Sequence, residues 1–231
     1  MGVRTFLDFF NQRKFANIYD QCADYTMTSK EKMLALYQSV KYIVDEKIPG
    51  SLVECGAWKG GSAMLMALTL TRLRAFDRKI YLYDTFQGMA KPTANDYRLD
   101  NHSIKAKDIW EKCQGKTYNR WCFSSLAEVK QNMLRTGYPR SKIIFIKGTV
   151  EKTIPKISPS RIALLRLDTD WYQSTKHELV HLFPLLSPGG VIIIDDYGYW
   201  AGAKKAVDEY FSNRNIVLRK IDNSACIGIK E

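Results

Sequence analysis

Two apolar runs that each end in aspartates lie within residues 162–197, which read IALLRLDTDWYQSTKHELVHLFPLLSPGGVIIIDDY. The first run covers residues 162–167 and the second covers residues 191–194. The spacing between them leaves room for about one helix and a turn at residues 187–190. Unbroken apolar runs are typical of strands that are buried on both faces. The pattern therefore predicts a strand–helix–strand unit in a doubly wound, mostly parallel α/β sheet.

The acids that end these two runs are Asp168, Asp170, Asp195 and Asp196. If the two strands are neighbours, Asp168 and Asp195 emerge at the same edge of the sheet, about 5 Å apart. Open α/β sheets bind ligands outside that edge, and converging carboxylates repel unless a cation or a shared proton relieves them. The spacing therefore predicts a site for a hard cation such as Mg²⁺. The alternative is that these acids only cap helices or face water.

A glycine-rich turn follows an earlier predicted strand, within residues 51–62, which read SLVECGAWKGGS. Glycines at positions 56, 60 and 61 allow the backbone to pass close to a ligand. Neither the P-loop pattern nor G-x-G-x-x-G is present. Glu54 stands just before the turn, where it would repel a phosphate but would suit an amine or a ribose hydroxyl. The turn therefore favours a positively charged nucleoside over a nucleoside phosphate.

A second strand is predicted at residues 79–83 and ends in Asp84. An acid at the tip of the second strand of a βαβ unit is placed to bind ribose hydroxyls. The alternative for Asp84 is a helix cap. A third strand is predicted at residues 142–146, shortly before Thr149 and Val150.

The N-terminal part of the chain is predicted to be helical. A capping-box pattern at residues 28–31 predicts a helix that begins there and runs to about residue 46. It belongs to an N-terminal helical segment, residues 1–48. The length of the chain suits a single domain, residues 1–231.

A long segment with little strand pattern, residues 87–141, separates the second and third predicted strands. It is predicted to be an insertion that either covers a site or forms a loose loop, with a closing helix at residues 126–134. Residues 203–211 are predicted to be helical. Residues 216–218 and 225–229 are predicted to form a terminal hairpin of strands.

Composition limits the class of protein without identifying it. The 231 residues carry a net charge of +11, which favours an anionic partner such as nucleic acid, a phosphorylated metabolite or an anionic membrane surface. Five cysteines without C-x-x-C spacing predict a reduced cytoplasmic protein. The first residues lack the pattern of a signal peptide, and no apolar run is long enough to cross a bilayer.

Several blocks of sequence, taken together and in order, carry a resemblance to a known family. The blocks are VECGAWKGGS (53–62), YDTFQGM (83–89), GYP (137–139) with GTVEKTIP (148–155), LRLDTDWYQST (165–175), and LSPGG (186–190) with IDDY (194–197). They resemble class I S-adenosylmethionine-dependent methyltransferases. More closely, they are similar to the macrocin O-methyltransferase family, which methylates sugar hydroxyls on bacterial natural products. The resemblance extends from about residue 28 to about residue 211.

The resemblance implies a Rossmann-like, seven-stranded sheet with strand order 3-2-1-4-5-7-6 and an antiparallel last strand. Asp84 is implied to hold the ribose of S-adenosylmethionine, with Thr149 and Val150 beside the adenine. The methionine part is implied to lie against the glycine-rich turn. The residues implied in donor binding are Glu54, Gly56, Ala57, Trp58, Gly60, Ser62, Asp84, Thr149, Val150 and Asp168.

The resemblance also implies a metal-assisted reaction. Asp168, Asp195 and Asp196 are implied to bind Mg²⁺, with Asp170 beside it as a ligand or base. Methyl transfer is an in-line displacement, in which the acceptor hydroxyl loses its proton and lies about 3 Å from the methyl carbon. Mg²⁺ would lower the pKa of that hydroxyl, and a carboxylate would take the proton. Asp168 is the first candidate for this base and Asp170 is the second.

The implied acceptor is a hydroxyl of a sugar or of a sugar-containing small molecule. Residues 105–120, in the predicted insertion, are basic and would tolerate an anionic acceptor. Tyr197, Tyr199 and Trp200 are predicted either to form a wall of the acceptor site or to pack in the core. The acceptor, the methylated position and any homo-oligomeric assembly stay open.

Three other functions are compatible with parts of the sequence. Residues 177–181 read HELVH, so His177, Glu178 and His181 match the H-E-x-x-H pattern of zinc peptidases, although a third ligand is not evident. The positive charge suggests a methyltransferase acting on RNA or on another anionic substrate, although no RNA-binding appendage is recognisable. A nucleoside-binding protein without catalytic activity is the third alternative.

Overall fold

A mixed β-sheet forms the centre of the computed structural model, which describes the backbone of residues 3–231 and the side chains of residues 13–231. The strands within this range are β1 Ser51–Cys55, β2 Ile80–Asp84, β3 Ile143–Lys147, β4 Ile162–Leu167, β5 Leu186–Ile194, β6 Arg219–Lys220 and β7 Cys226–Ile229. They form a sheet of seven strands in the order β3-β2-β1-β4-β5-β7-β6. Neighbours from β3 to β5 are parallel, and β7 is antiparallel to both β5 and β6. The predicted fold class and strand order are confirmed.

The two strands with aspartate tips are neighbours at the middle of the sheet. All six residues of β4 are buried, and Leu167 pairs with Ile194 in the parallel register of β4 and β5. The amide of Asp195 donates to the carbonyl of Leu167 at 2.9 Å, and the amide of Asp168 donates to the carbonyl of Cys55 at 2.8 Å. The register therefore brings both aspartate tips to one carboxyl edge, as the apolar runs predict.

Helices cover both faces of the sheet. They are α1 Val3–Cys22, α2 Lys30–Asp45, α3 Gly61–Arg72, α4 Ala106–Lys112, α5 Leu126–Leu134, α6 Val150–Thr153, α7 Tyr172–Leu182 and α8 Ala201–Phe211. One core joins α1, α2, α3 and α5 to the face that contains Leu52 and Leu164. The other joins α6, α7 and α8 to the face that contains Val53 and Leu165. None of the described helices combines the length and apolarity that crossing a membrane requires.

Two predicted boundaries are displaced in the structure. The N-cap of α2 is Ser29, whose side chain accepts from the amide of Lys32, whereas the capping box predicted Thr28. Thr28 instead turns its hydroxyl towards Arg166. The strand predicted at residues 216–218 is also wrong, because the pairing with β7 is made by Arg219–Lys220. Ile216 and Leu218 pack against the second core, so their apolar pattern indicates burial rather than strand pairing.

The segment between β2 and β3 is tied to the chain that follows β5. Arg98 forms a β-bridge with Trp200, the amide of Leu99 donates to Tyr199, and the amide of Ala201 donates to Tyr97. These contacts give residues 97–99 a short antiparallel pairing with residues 199–201. The predicted closing helix is present as α5. We refer to residues 87–141 as the cover segment.

The H-E-x-x-H pattern lies on α7, and its glutamate points into the core. Glu178 is fully buried, and its Oε1 accepts from the hydroxyl of Thr169 at 2.9 Å. His177 contacts the carbonyl of Ile154 at 2.9 Å through Nε2. Among residues 13–231, the group of side chains arranged to hold a metal includes neither His177 nor His181. The zinc-peptidase alternative is therefore wrong, since the glutamate that it needs as a base is buried and bonded to Thr169 in the loop after β4.

Burial controls the ionisation of Glu178. Its pKa is raised well above the ordinary value, mainly by burial and further by nearby negative charges. A carboxyl group whose pKa is higher in the folded than in the unfolded chain is compatible with folding at low pH. Such a group lowers the free energy of unfolding as the pH rises above the pKa that the group has in the unfolded chain.

We predict that Glu178→Gln becomes more stabilising, relative to the unsubstituted protein, as the pH is raised from 5 to 8. The amide keeps the shape of the side chain and cannot ionise. The measurement is the melting temperature of both proteins at the two pH values, with Glu46→Gln, at an exposed position, as the control for loss of a charge. A melting-temperature difference that does not change with pH would contradict the prediction.

Candidate functional site

A cavity of about 450 Å³ opens at the carboxyl ends of β1, β2, β4 and β5. Nine of the ten residues that the sequence implied in donor binding line this cavity, and so do Asp170, Asp195 and Asp196. Gly60 does not line it. Gly60 precedes α3 with a φ of +89° and allows the chain to enter the helix. Residues 25–28 and Lys32, which the sequence analysis did not identify, form another part of the wall.

The glycine-rich turn is packed directly against the end of β4. Gly56 has a φ of +85°, and a Cβ atom there would lie 1.9 Å from the carbonyl oxygen of Asp168. A larger residue is excluded because the close atom belongs to the backbone. The turn therefore needs glycine at position 56 both for its conformation and for this close approach.

Asp84 holds the turn in place. Its Oδ2 accepts from the amides of Ala57 and Trp58 at 2.7 and 3.1 Å, and its Oδ1 accepts from the amide of Phe86 at 2.6 Å. The bond to Phe86 belongs to a local turn rather than to the helix cap considered above, because no helix begins there. Burial raises the pKa of Asp84 above its ordinary value, opposed by these amide donors. Asp84 thus organises the turn and also lines the cavity.

Glu54 is buried near the end of β1 and has one unpaired oxygen. Its Oε1 accepts from Nη1 of Arg166 at 2.8 Å. Its Oε2 is buried and has no hydrogen-bond partner among the described residues. Burial, opposed by the charge of Arg166, raises the pKa of Glu54 to about 8. An unpaired buried oxygen at the wall of a cavity is an acceptor that a bound donor group would satisfy.

Arg166 connects Glu54 to the aspartates, and the sequence analysis missed it. Its guanidinium is almost fully buried. Nη1 also donates to Oδ2 of Asp168 at 2.7 Å, while Nη2 donates to Asp195 and, at 3.0 Å, to the hydroxyl of Thr28. Charged side chains are seldom fully buried without partners. An arginine inside the apolar run of β4 could therefore have indicated that oppositely charged side chains lie next to that strand. In the sheet register Arg166 lies directly opposite Glu54.

Lys32 is a second cation that the sequence analysis missed. From α2 its Nζ donates to Oδ1 of Asp195 and lies 4.0 Å from Asp222. The charge of Asp195 raises the pKa of Lys32 despite the opposing effect of burial. Both oxygens of Asp195 therefore contact cationic side chains of the protein.

Asp168, Asp195 and Asp196 bring one oxygen each to within 4.8 Å of one another. Burial and the charge of Asp195, opposed by Arg166, raise the pKa of Asp168 to about 6. The pKa of Asp196 is raised well above its ordinary value by burial and by the neighbouring aspartates. Three converging carboxyl groups, of which Asp168 and Asp196 have raised pKa values, fit a hard divalent cation, which prefers oxygen ligands.

Asp170 lies beside this group without belonging to it. Its backbone has a φ of +68°, in the left-handed region that few residues other than glycine adopt. Its Oδ1 accepts from Nε1 of Trp200 at 2.9 Å. Burial and the charges of Asp168 and Asp195 raise the pKa of Asp170 well above its ordinary value.

Comparison with protein families and with curated relatives identifies the class of protein. The model of the macrocin-O-methyltransferase (TylF) family matches residues 8–228. The chain is 32% identical over 186 residues to the 8-demethyl-8-(2,3-dimethoxy-alpha-L-rhamnosyl)-tetracenomycin-C 4'-O-methyltransferase of Streptomyces olivaceus, covering 80% of this chain and 67% of the relative. It is also 32% identical over 192 residues to the mycinamicin III 3''-O-methyltransferase of Micromonospora griseorubida, covering 83% and 72%.

Solved structures support the same class. The O-methyltransferase NovP superposes with a TM-score of 0.78 at 28% identity, over 89% of this chain and 82% of that one. The calicheamicin methyltransferase CalS11 superposes with a TM-score of 0.66 at 19% identity, over 86% and 78%, which shows a likeness of fold. Taken with the match over residues 8–228, the sheet order and the acid-lined cavity, these similarities show that the chain belongs to the macrocin O-methyltransferase family of class I S-adenosylmethionine-dependent methyltransferases.

Proposed function

We propose that this enzyme transfers the methyl group of S-adenosylmethionine to a hydroxyl of a sugar or sugar-containing small molecule, with assistance from Mg²⁺. The main support is a single cavity that contains an unpaired glutamate oxygen near the glycine-rich turn and three converging aspartates next to it. The names of the relatives support the acceptor class, since they refer to sugar-bearing tetracenomycin and to mycinamicin III.

The donor is proposed to bind along the glycine-rich turn. The buried Oε2 of Glu54 would accept a hydrogen bond from the ammonium group of its methionine part. Gly56, Ala57, Trp58 and Ser62 would line that part. Asp84 would hold the ribose, and Thr149 and Val150, which follow β3, would border the adenine. The excess of carboxyl groups over cations in the cavity wall suits a sulfonium, because opposite charges attract more strongly where water is excluded.

The metal is proposed to bind to Asp168, Asp195 and Asp196. Asp195 already contacts Arg166 and Lys32, so Asp168 and Asp196 would provide the more available oxygens. A divalent cation held there would lower the pKa of an acceptor hydroxyl that contacts it.

Asp170 is proposed to be the general base, and this choice decides between the two candidates that the sequence left open. Asp168 forms an ion pair with Arg166 and is one of the three aspartates proposed to bind the metal. Asp170 is outside that group. Its Oδ1 accepts from a neutral donor, the indole of Trp200, and its carboxyl group also contacts that of Asp196. In the reaction Asp170 takes the hydroxyl proton, the acceptor oxygen bonds to the methyl carbon, and the carbon–sulfur bond breaks to leave a neutral thioether.

The cover segment, residues 87–141, is proposed to close the acceptor side of the cavity within one methyltransferase domain, residues 1–231. Met89, Ala90 and Cys122 of this segment line the cavity, as does Tyr199, which is partly exposed. We also propose that the enzyme works in the cytoplasm. All five cysteines are unpaired, which suits a reducing compartment.

We predict that Glu54→Gln weakens binding of S-adenosylhomocysteine by about 10-fold or more, because a hydrogen bond to a charged group contributes about 1.5–3 kcal/mol. Isothermal titration calorimetry measures the dissociation constant. Asp222→Asn, outside the glycine-rich turn, is the control for loss of a carboxylate. Unchanged affinity in Glu54→Gln would place the donor's ammonium group elsewhere.

We predict that Asp170→Asn lowers kcat by about 10²- to 10⁴-fold, the usual contribution of a general base, while affinity for S-adenosylhomocysteine stays within a few-fold. Asp208→Asn is the matched control. Asp208 pairs with Lys204 on the exposed side of α8. A variant Asp170→Asn that keeps full kcat would exclude Asp170 as the base.

The experiment that tests the proposed function is an acceptor panel with and without Mg²⁺. The panel contains mycinamicin III, demethyldecarbamoylnovobiocin, nucleotide-sugars, free sugars and simple phenols. We predict methyl transfer to a sugar hydroxyl, lost in EDTA and restored by Mg²⁺, and calorimetric Mg²⁺ binding that Asp196→Asn weakens. Equal activity in EDTA and in Mg²⁺ would refute the metal. Transfer to phenols alone would refute the sugar acceptor.

A further inference from the structure

The conformation of Asp170 requires support from its surroundings. A left-handed backbone at a residue other than glycine costs roughly 1–3 kcal/mol and persists only where neighbouring contacts enforce it. The side chain also lies among the charges of Asp168 and Asp195, which would push it away. Trp200 provides the neutral hydrogen bond that holds it, 2.9 Å from Nε1 to Oδ1.

Trp200 is itself fixed in a cluster of three tryptophans. It is 2% exposed, and its ring centroid lies 5.1 Å from that of Trp171 and 6.0 Å from that of Trp121. Both neighbouring rings meet it edge to face, a favoured arrangement for aromatic pairs. The indole can only donate, and its single N–H group donates to Asp170.

The same cluster holds the cover segment. Trp171 donates from Nε1 to the carbonyl of Ala90 at 2.9 Å, and Trp121 belongs to the cover segment. The backbone of Trp200 forms a β-bridge with Arg98, which also belongs to the cover segment. The side chain that fixes Asp170 is therefore in contact with the part of the chain that forms the acceptor wall.

We propose that Trp200 is a positioning residue that orients the carboxylate of Asp170 toward the acceptor and couples this orientation to the seating of the cover segment. This inference rests on the proposed role of Asp170 as the base. Trp200 makes no contact with the reacting atoms in this scheme, and its effect on rate passes through Asp170.

The test compares Trp200→Phe, which removes the indole N–H and keeps an aromatic ring, with Tyr172→Phe. Tyr172→Phe likewise removes one hydrogen-bond donor and keeps the ring, and the bond that it removes is to Glu209 at 2.8 Å, outside the set of residues that line the cavity. With the panel acceptor that is methylated fastest, Trp200→Phe is expected to lower kcat by about 10- to 100-fold, since a misplaced catalytic group can cost about 10²-fold. Affinity for S-adenosylhomocysteine and KM are expected to change little, and Tyr172→Phe is expected to retain kcat.

A double-mutant cycle separates positioning from general structural damage. In the Asp170→Asn background, Trp200→Phe is expected to cost little further rate, because the group through which it acts is already neutralised. An equal loss in both backgrounds would overturn the proposal, and so would full kcat in Trp200→Phe alone.

An NMR measurement tests the contact without an acceptor. The chain has five tryptophans, and triple-resonance assignment of the unsubstituted protein, labelled with ¹³C and ¹⁵N, identifies the indole N–H signal of Trp200. In Asp170→Asn this signal is expected to move upfield in the proton dimension, and an unmoved signal would overturn the proposal even if Trp200→Phe failed to fold. If the signal moves but Asp170→Asn keeps full kcat, the assignment of the base fails, and the positioning role fails with it.

Discussion

The carboxyl edge of the sheet depends on one buried guanidinium. Arg166 donates to Glu54 of β1, to Asp168 at the end of its own strand, to Asp195 after β5 and to Thr28 before α2. Removing one partner of a buried ion pair typically costs about 3–5 kcal/mol, because the remaining charge has no water to solvate it. Four segments that are far apart in sequence are thus held in one arrangement by a planar group with fixed donor directions.

This arrangement changes how the repulsion between the aspartates is relieved. Carboxylates that converge need positive charge nearby, and the protein supplies part of it itself through Arg166 and Lys32. The cavity wall has only these two cations for seven carboxyl groups, which are those of Glu54, Asp84, Glu151, Asp168, Asp170, Asp195 and Asp196. The imbalance is consistent with the raised pKa values of Asp170 and Asp196. It is also the physical reason to expect cationic ligands, a sulfonium donor and a divalent metal, in the same cavity.

The two faces of the sheet carry charged side chains with different structural roles. On the face that carries α2, alternate residues of β1 and β4 present Glu54 and Arg166 to the cavity. On the opposite face, Glu178 of α7 is buried beneath the same strands, where its contact with Thr169 supports the loop that leads to Asp170. The tryptophan cluster then connects this loop to the cover segment. The glycine-rich turn and the aspartate group are therefore built on one sheet edge, with separate supports.

The sequence by itself determined the fold class and the two aspartate tips, because these depend on local apolar runs. Its contiguous motifs identified the family, and the resemblance to that family implied the strand order. Of the ten donor-binding candidates that it indicated, all but Gly60 line the cavity. Tertiary structure alone decided that Thr28 reaches Arg166, that Lys32 reaches Asp195, that Asp84 holds the turn, and that Trp200 bonds to Asp170. The pattern of residues 216–218 likewise indicated burial but could not say which residues pair with β7. Each of these features depends on where distant segments meet and on which direction a side chain takes, and apolar periodicity and motif spacing contain neither.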